Sequence, residues 1–426
     1  MRVFLSSLGC KLNQAEADHL ARQFLARGHR VVGSLAEADL HVVNSCTVTQ
    51  EAARDSRKAA RRGTRAGQGP RTVLTGCFAT AQGVDAAALH GVDLVVGNAD
   101  KERLVDLVAL ALPAWGVAPV ARTPAPSDAP VAYVPLDFGP ARALIKIEDG
   151  CDMRCAFCII PRTRGAQRSR PLAAVTAEAR ALEEAGHREI VVTGVQISAY
   201  RDGAARLPEL IDALLDATSA CRLRLTSIAP WDFDGALLDR FEHPRVCRHV
   251  HLSLQSGDDG VLRRMRRPYD RARFAALVEA IRHRVPGVAI TTDVIVGFPG
   301  ETDAEHAASL AFVEEIGFAR VHVFGYSPRP GTEAAAMPGH VPPERKRARM
   351  QRMLAAAGAA EEAFRRRQVG TRARVLWEGR RGGAWAGTTD NYARAFAESG
   401  LDLRGRLTEA VLTVLVPGGL GAVLRP

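Results

Sequence analysis

Apolar positions recur along the chain in two alternating rhythms. Short runs with strand character, Arg2 to Ser7, Leu40 to Asn44, Val73 to Thr75 and Leu94 to Val96, are separated by stretches of helical periodicity. A helix is expected from about Asn13, where Glu16 three residues on would complete a capping box; others are expected from about Thr49 and over Lys101 to Leu112. This alternation predicts an open parallel α/β sheet with helices on both faces. From Leu112 to about Pro135 the pattern gives way to Pro and Ala, as in a linker. Strand-like runs resume at Leu144 to Ile147, Ile190 to Thr193, Arg222 to Ile228, His249 to Leu254, Ala289 to Val296 and Val321 to Phe324, with helical stretches between them. Six βα units predict a parallel barrel, here an incomplete one, whose functional loops follow the carboxyl ends of strands.

After Gly370 only short pieces remain, Ala373 to Trp377, Tyr392 to Phe396 and Ala410 to Val416, split by Gly-rich turns, which predicts a small β-barrel. The expected division is residues 1–120, a linker over 121–136, a central unit over 137–367 and a terminal barrel over 368–426. A length of 426 residues suits two or three domains, and a hydrophobic fraction of 47% is ordinary for globular proteins. No apolar run reaches bilayer length and the chain opens directly on a strand, so the expectation is a cytoplasmic protein with reduced thiols and no membrane partner.

Formal net charge is +10, a balance that favours phosphate-bearing partners, and its placement is more telling than its size. After Cys46, Arg54, Arg57, Lys58, Arg61, Arg62 and Arg65 recur at helical spacing as one cationic stripe, backed by Ala52, Ala53, Ala59 and Ala60. Like charges in such a row repel, and only Glu51 and Asp55 lie nearby, so the stripe is expected to bind RNA phosphate. A further group, Arg263, Arg264, Arg266 and Arg267, adjoins a barrel loop and suits either RNA or solvent.

Cysteine carries the chemistry. Cys151, Cys155 and Cys158 are separated by three residues and then two. Three thiolates so spaced can hold three irons of a four-iron, four-sulfur (4Fe–4S) cluster and leave the fourth iron open to a small molecule. A structural zinc site would need a fourth ligand nearby, and a long chain with eight cysteines and no secretory signal does not suit a disulfide framework. Cys10, Cys46 and Cys77 each follow the carboxyl end of an expected strand, and such ends share one edge of an open α/β sheet. Their recurrence at one topological position predicts a second cluster; the alternative is three buried core thiols. Cys221 and Cys247 lie outside both groups and read as buried thiols.

The triple-cysteine run closely resembles that of the radical S-adenosylmethionine enzymes. Together with Leu8-Gly-Cys-Lys-Leu-Asn-Gln14, Asn44-Ser-Cys-Thr-Val-Thr49, Thr75-Gly-Cys77, Ile159-Ile-Pro-Arg-Thr-Arg-Gly165, Leu252-Ser-Leu-Gln-Ser-Gly257, Asp293-Val-Ile-Val-Gly-Phe-Pro-Gly-Glu301 and Tyr326-Ser-Pro-Arg-Pro-Gly-Thr332, it resembles the methylthiotransferases over nearly the whole chain. The last sixty or so residues look like a TRAM domain, the small RNA-binding barrel of that family. The Gly-Cys-Lys-Leu-Asn-Gln form around Cys10 is similar to the branch acting on N6-threonylcarbamoyladenosine beside the tRNA anticodon (adenosine 37), whereas the isopentenyladenosine branch usually has Gln and Met after that cysteine.

The resemblance implies two 4Fe–4S clusters, the first on Cys151, Cys155 and Cys158 with S-adenosylmethionine on its open iron, the second on Cys10, Cys46 and Cys77. It implies removal of hydrogen from C2 of the modified adenine by a cofactor-derived radical, insertion of sulfur, and methyl transfer from a second S-adenosylmethionine. An electron donor and a sulfur source are required. Gly194 and Gln255, at strand ends, are expected to contact the cofactor, although Val192-Thr-Gly-Val-Gln-Ile-Ser-Ala-Tyr200 departs from the usual Asn-containing form. Rival readings are a methylthiotransferase for isopentenyladenosine tRNA or a ribosomal-protein aspartate, and a non-catalytic, metal-stabilised RNA-binding protein.

Overall fold

The computed structural model describes residues 1–62, 69–115 and 141–425; Arg65 of the cationic stripe and the expected linker over 121–136 lie outside them. The N-terminal sheet comprises β1 (Arg2–Ser7), β2 (Arg30–Val31), β3 (Leu40–Ser45), β4 (Arg71–Gly76) and β5 (Leu94–Val96), all parallel in the order β2-β1-β3-β4-β5. Every residue of β3 is buried, as a central strand covered on both faces requires. One face packs Val3, Leu5, Leu40, Val42 and Val73 against Leu20 and Phe24 of α1 (Lys11–Ala26) and against the helix Leu104–Ala111. Burying each such large apolar side chain contributes roughly 2–3 kcal/mol. The other face packs Val43 and Leu74 on Ala53, Ala59 and Ala60 of α2 (Gln50–Ala60) and on Phe78 of α3 (Cys77–Gln82).

Two local expectations are corrected. α1 starts at Lys11, ahead of Asn13, and its N-cap Cys10 makes no side-chain cap; Asn13 and Glu16 are drawn instead into a buried polar network. The stretch beginning at Lys101 opens as a 3-10 turn, Asn98–Arg103, before the α-helix.

The central unit adds β6 (Arg142–Lys146), the short antiparallel pair β7 (Glu148–Asp149) and β8 (Arg168–Ser169), β9 (Glu189–Thr193), β10 (Arg222–Leu225), β11 (Ser227–Ile228), β12 (His249–Leu252), β13 (Ala289–Val296) and β14 (Arg320–Gly325). The run expected as one strand from Arg222 to Ile228 is broken at Thr226. Its first half closes the sheet β10-β9-β6 and its second opens the sheet β11-β12-β13-β14, so one bent strand joins both halves of an open parallel arc. Alternate residues (Ile190, Val192, Leu223, Val250, Leu252, Ile290, Val294, Val321) enter the outer core under the helices. The intervening residues line an inner face that is largely polar: Glu189, Arg222, Arg224, His249, His251, Thr291, Asp293 and His322. On β6 and β9 the inner residues Leu144 and Val191 pack on Ala15, so α1 lies against the inside of the arc.

The terminal barrel is closed, with β15 (Arg372–Arg381), β16 (Ala384–Thr389), β17 (Arg394–Ala397), β18 (Leu407–Val416) and β19 (Gly419–Leu424) in the order β15-β16-β17-β19-β18. It docks on the amino ends of the central strands. Glu189, fully buried, accepts from Arg222 Nε at 2.6 Å and Arg224 Nε at 2.8 Å. The same guanidinium groups donate onward to the carbonyls of Arg374, Thr388, Thr389 and Asp390. Arg248 pairs with Asp390 at 2.6 Å, and Arg142 spans Glu378 at 2.9 Å. The carboxyl ends of the strands are left for chemistry.

Glu189→Ala strips the carboxylate from these buried arginines and is expected to cost about 3–5 kcal/mol of stability, read from denaturant unfolding. Burial pushes the Glu189 carboxyl up, but Arg224, Arg222 and Arg142 together hold it well below the usual range. Its contribution is therefore complete at neutral pH and is lost as pH falls from the ordinary carboxylate range through that depressed value. A loss below about 1 kcal/mol would show that the junction does not depend on it.

Candidate active site

Each cysteine of the N-terminal group stands where a parallel strand gives way to a helix. Cys10 precedes α1, Cys46 follows β3 and Cys77 opens α3 directly after β4. Gly9, at φ +95°, brings the chain so close to Cys46 that a Cβ there would stand 2.6 Å from its Sγ. Cys46 is fixed by Ser56 of α2, whose hydroxyl accepts from the Cys46 N–H at 2.9 Å and donates to the Cys46 carbonyl at 2.8 Å. The Cys10 thiol faces Asn13 Oδ1 at 3.9 Å, and the same oxygen accepts from Arg164, whose Nε donates to Cys77 Sγ, so Cys10 and Cys77 share one polar neighbourhood. Cys10 is exposed, whereas Cys46 and Cys77 are buried.

The second group lies on the loop after β7, between Gly150 and the helix Ile160–Arg164. Arg267 donates to Cys155 Sγ at 3.3 Å while stacking on Trp231 and donating to the Ser253 carbonyl at 2.9 Å. The Cys151 thiol reaches Gln196 Oε1 at 3.5 Å, and Gln196 Nε2 is held by Asp232 at 2.8 Å. A cavity of about 550 Å³ opens beside Cys151, lined in part by Met153, Gln196, Ser198, Trp231 and Asp232. Its size and mixed polarity suit a nucleoside-bearing cofactor. Gly194 and Gln255 are not among its lining residues. Gly194 packs against the Glu148 carboxyl, which burial pushes up to about 8, and Gln255, at φ 70°, bridges to Val294.

One arginine joins the two groups. Arg164 ends the helix that follows Cys158, and its guanidinium is buried, with 1% of the side chain exposed. Nε donates to Cys77 Sγ at 3.2 Å; the terminal nitrogens donate to Glu16 and Asp149, both at 2.8 Å, and to Asn13 at 2.6 Å. Lys101 also pairs with Glu16, at 2.6 Å. Burial pushes the Glu16 carboxyl up, but Lys101, Arg164 and Lys146 overcome this and hold it well below the usual range. Asn98 adds a second tie, donating to the Thr163 carbonyl at 2.8 Å and to Cys77 Sγ at 3.7 Å. None of this was legible from spacing, because the partners come from segments far apart in sequence.

The donor sets fit iron–sulfur clusters. Burial pushes the thiols of Cys46 up to about 11 and of Cys158 up to about 12, so holding them as thiolates calls for a cationic metal centre.

The stripe on α2 divides. Arg54 and Arg57 border a cleft of about 1130 Å³ between α2 and the helix Ile160–Arg164, which Arg162 and Arg329 complete. Lys58, Arg61 and Arg62 are exposed or nearly so but line no part of that cleft. Arg162 and Arg329 were not singled out from sequence, since neither belongs to a run of charge. Of the arginines after Gly260, Arg264 pairs with Glu305 and Arg266 with Glu333, which leaves Arg267 as the one directed at a thiol. Cys221 and Cys247 are buried away from both trios. Among the described residues no helix is long and apolar enough to cross a membrane.

Residues 145–313 match the model of the radical SAM superfamily, and residues 2–97 match that of uncharacterized protein family UPF0004. The threonylcarbamoyladenosine tRNA methylthiotransferase MtaB of Thermotoga maritima is 36% identical, over 88% of this chain and 86% of the relative. The tRNA-2-methylthio-N(6)-dimethylallyladenosine synthase of Sorangium cellulosum is also 36% identical, over 96% of this chain and 90% of the relative. Among solved structures, the radical S-adenosylmethionine methyltransferase TsrM of Kitasatospora setae has a similar fold, with a TM-score of 0.55 at 17% identity over 78% of this chain and 75% of that one.

The thiol environments predict an order of reactivity in metal-free protein. Under anaerobic alkylation near pH 8, peptide mapping should find Cys10 modified ahead of Cys46 and Cys158, because Cys10 alone of the three is exposed while burial pushes the other two thiols up to about 11 and about 12. Alkylation of Cys46 ahead of Cys10 would contradict the burial described.

Proposed function

Since this chain belongs to the radical S-adenosylmethionine methylthiotransferase family that modifies tRNA, we propose that it converts N6-threonylcarbamoyladenosine at position 37 to its 2-methylthio derivative. In this reading Cys151, Cys155 and Cys158 hold one 4Fe–4S cluster and Cys10, Cys46 and Cys77 hold a second. The observation that carries it is Arg164, which links Cys77 to the helix directly after Cys158 and so sets the two trios on one working space. A binding protein stabilised by metal would not need that juxtaposition. The Lys11-Leu12-Asn13-Gln14 run after Cys10 supports the threonylcarbamoyl substrate over the dimethylallyl one.

When bound, the cofactors supply the reductive cleavage and the sulfur that C2 of an adenine requires, since acid–base chemistry alone does not activate that C–H bond. The protein's own part is positional. Arg267 and Gln196 hold the Cys155 and Cys151 ends of the loop, and the cavity beside Cys151 receives S-adenosylmethionine. Arg164, Asn98 and Ser56 fix Cys77 and Cys46 against it. The anticodon loop lies over the cleft of Arg54, Arg57 and Arg162, whose guanidinium groups grip phosphate while the base leaves the loop stack at a cost of about a few kcal/mol; Arg329, buried and donating to the Pro328 and Thr47 carbonyls, shapes the cleft wall.

Two measurements check this. Mass spectrometry of tRNA nucleosides should show 2-methylthio-threonylcarbamoyladenosine lost in a strain lacking the protein and restored by the wild type but not by Cys46→Ala; an unchanged level, or loss of the 2-methylthio-dimethylallyl nucleoside instead, would overturn the assignment. Arg54→Ala and Arg162→Ala should weaken anticodon stem-loop binding and lower the slope of log K against log salt by about 0.7 to 0.9 for each phosphate contact removed. An unaltered salt slope would move the RNA off this cleft.

A further inference from the structure

Lys11 is the first residue of α1, directly after Cys10, and α1 lies against the inner face of the arc. Among the described residues its ammonium meets no carboxylate; it stands 5.2 Å from the centre of the Tyr392 ring. Tyr392 projects from the terminal barrel, packed between His249 (ring centres 4.6 Å apart) and the Arg224 guanidinium at 4.6 Å. Arg142, Arg222 and Arg224 surround this floor with Glu189 as the acid they share and Glu378 as a second partner of Arg142, two acids against three arginines and Lys11, and the first turn of α1 holds no acidic residue. The inner end of the arc is therefore short of negative charge.

Above it stand three polar groups. His251 Nε2 lies 3.4 Å from Asp293, its Nδ1 lies 3.0 Å from the Thr291 hydroxyl, and His322 is the register partner of Asp293 on β14. Ligand atoms of His251, Asp293 and His322 fall within 4.8 Å of one another, as at a cation site. Thr291 ties this group to the floor, its hydroxyl lying 3.1 Å from Nε2 of His249, the ring stacked on Tyr392, and 3.0 Å from Nδ1 of His251. Two residues beyond His322 on the same inner face, Phe324 is 44% exposed at the strand's carboxyl end, an apolar ring free to meet a flat base. The arrangement calls for a ligand that is flat at one end and, at the other, carries an anion together with hydrogen-bond donors.

We infer that Lys11 and Asp293 read the side chain of the modified adenine, the Lys11 ammonium taking the carboxylate of the threonylcarbamoyl group and Asp293 accepting from its hydroxyl or urea N–H. This rests on the substrate reading above and gives it a chemical cause. A dimethylallyl group offers neither carboxylate nor donor, so against it the half-buried Lys11 ammonium would gain no anionic partner and Asp293 would keep only His251, a loss of binding of the kind that separates close analogues. Lys11 is thus a specificity-determining residue rather than a catalytic one.

The test uses reconstituted holoenzyme and anticodon stem-loop RNAs that carry threonylcarbamoyladenosine, its carboxylate methyl ester, or dimethylallyladenosine. Binding is measured without reductant, and turnover is followed in parallel. Wild type should hold the free acid about tenfold more tightly than the ester. Lys11→Gln should lose about that factor on the acid and less than about twofold on the ester, and Lys11→Arg should restore most of it. Iron per chain shows whether the Cys10 site survives each substitution; should it not, the wild-type ratio of acid to ester decides alone. Equal affinity of wild type for acid and ester, with the acid loop still thiomethylated, overturns this inference and leaves the substrate reading standing. Thiomethylation of the dimethylallyl loop in place of the threonylcarbamoyl loop overturns both.

Discussion

A buried guanidinium can be kept in a protein interior only if nearly all its donors are taken, and Arg164 meets that demand with residues from both sides of the active site. Glu16 and Asn13 come from α1 of the N-terminal unit, Asp149 from β7 before the loop of Cys151, Cys155 and Cys158, and the Cys77 sulfur from the other trio. Removing any partner would strand charge in a low-dielectric space. The network thus fixes not only the two halves but their register, so that the helix after Cys158 cannot drift from Cys77 without breaking several charged hydrogen bonds at once. Loops that merely approached one another would not hold a substrate base at a single carbon between them.

The terminal barrel extends the same logic to the opposite end of the arc. It seals the amino ends of the strands with buried ion pairs and backbone carbonyls, while Tyr392 carries a wholly terminal-barrel residue into the interior. The terminal barrel and the central arc are thus joined by buried charged contacts, with Glu189, Arg222 and Arg224 all buried at the junction. A polar interior is costly for stability, which fits a face shaped for a polar ligand.

Much of this was legible in the order of residues. Strands announced by branched apolar runs, Leu94 to Val96 and Ala289 to Val296, occur where the pattern put them, and each cysteine follows its strand because both signals are local. Strands β16 and β19 escaped notice because Ala384 to Thr389 and Gly419 to Leu424 are rich in Ala and Gly and take strand form only through pairing in the closed barrel. The capping box at Asn13 failed since those side chains serve partners distant in the chain. The same holds for Arg164, Arg267 and Ser56. Their neighbours identify them as ordinary surface or helix residues, and only tertiary packing turns them toward sulfur.

The central claim, two clusters held within magnetic reach of each other by one buried arginine, is tested most directly by electron paramagnetic resonance of the anaerobically reconstituted, reduced protein. The account predicts two cluster signals whose spins interact, with line broadening and faster relaxation than either trio shows when the other has been removed by Cys→Ala substitution. A single cluster signal, or a spectrum equal to the plain sum of the two single-trio variants, would contradict it.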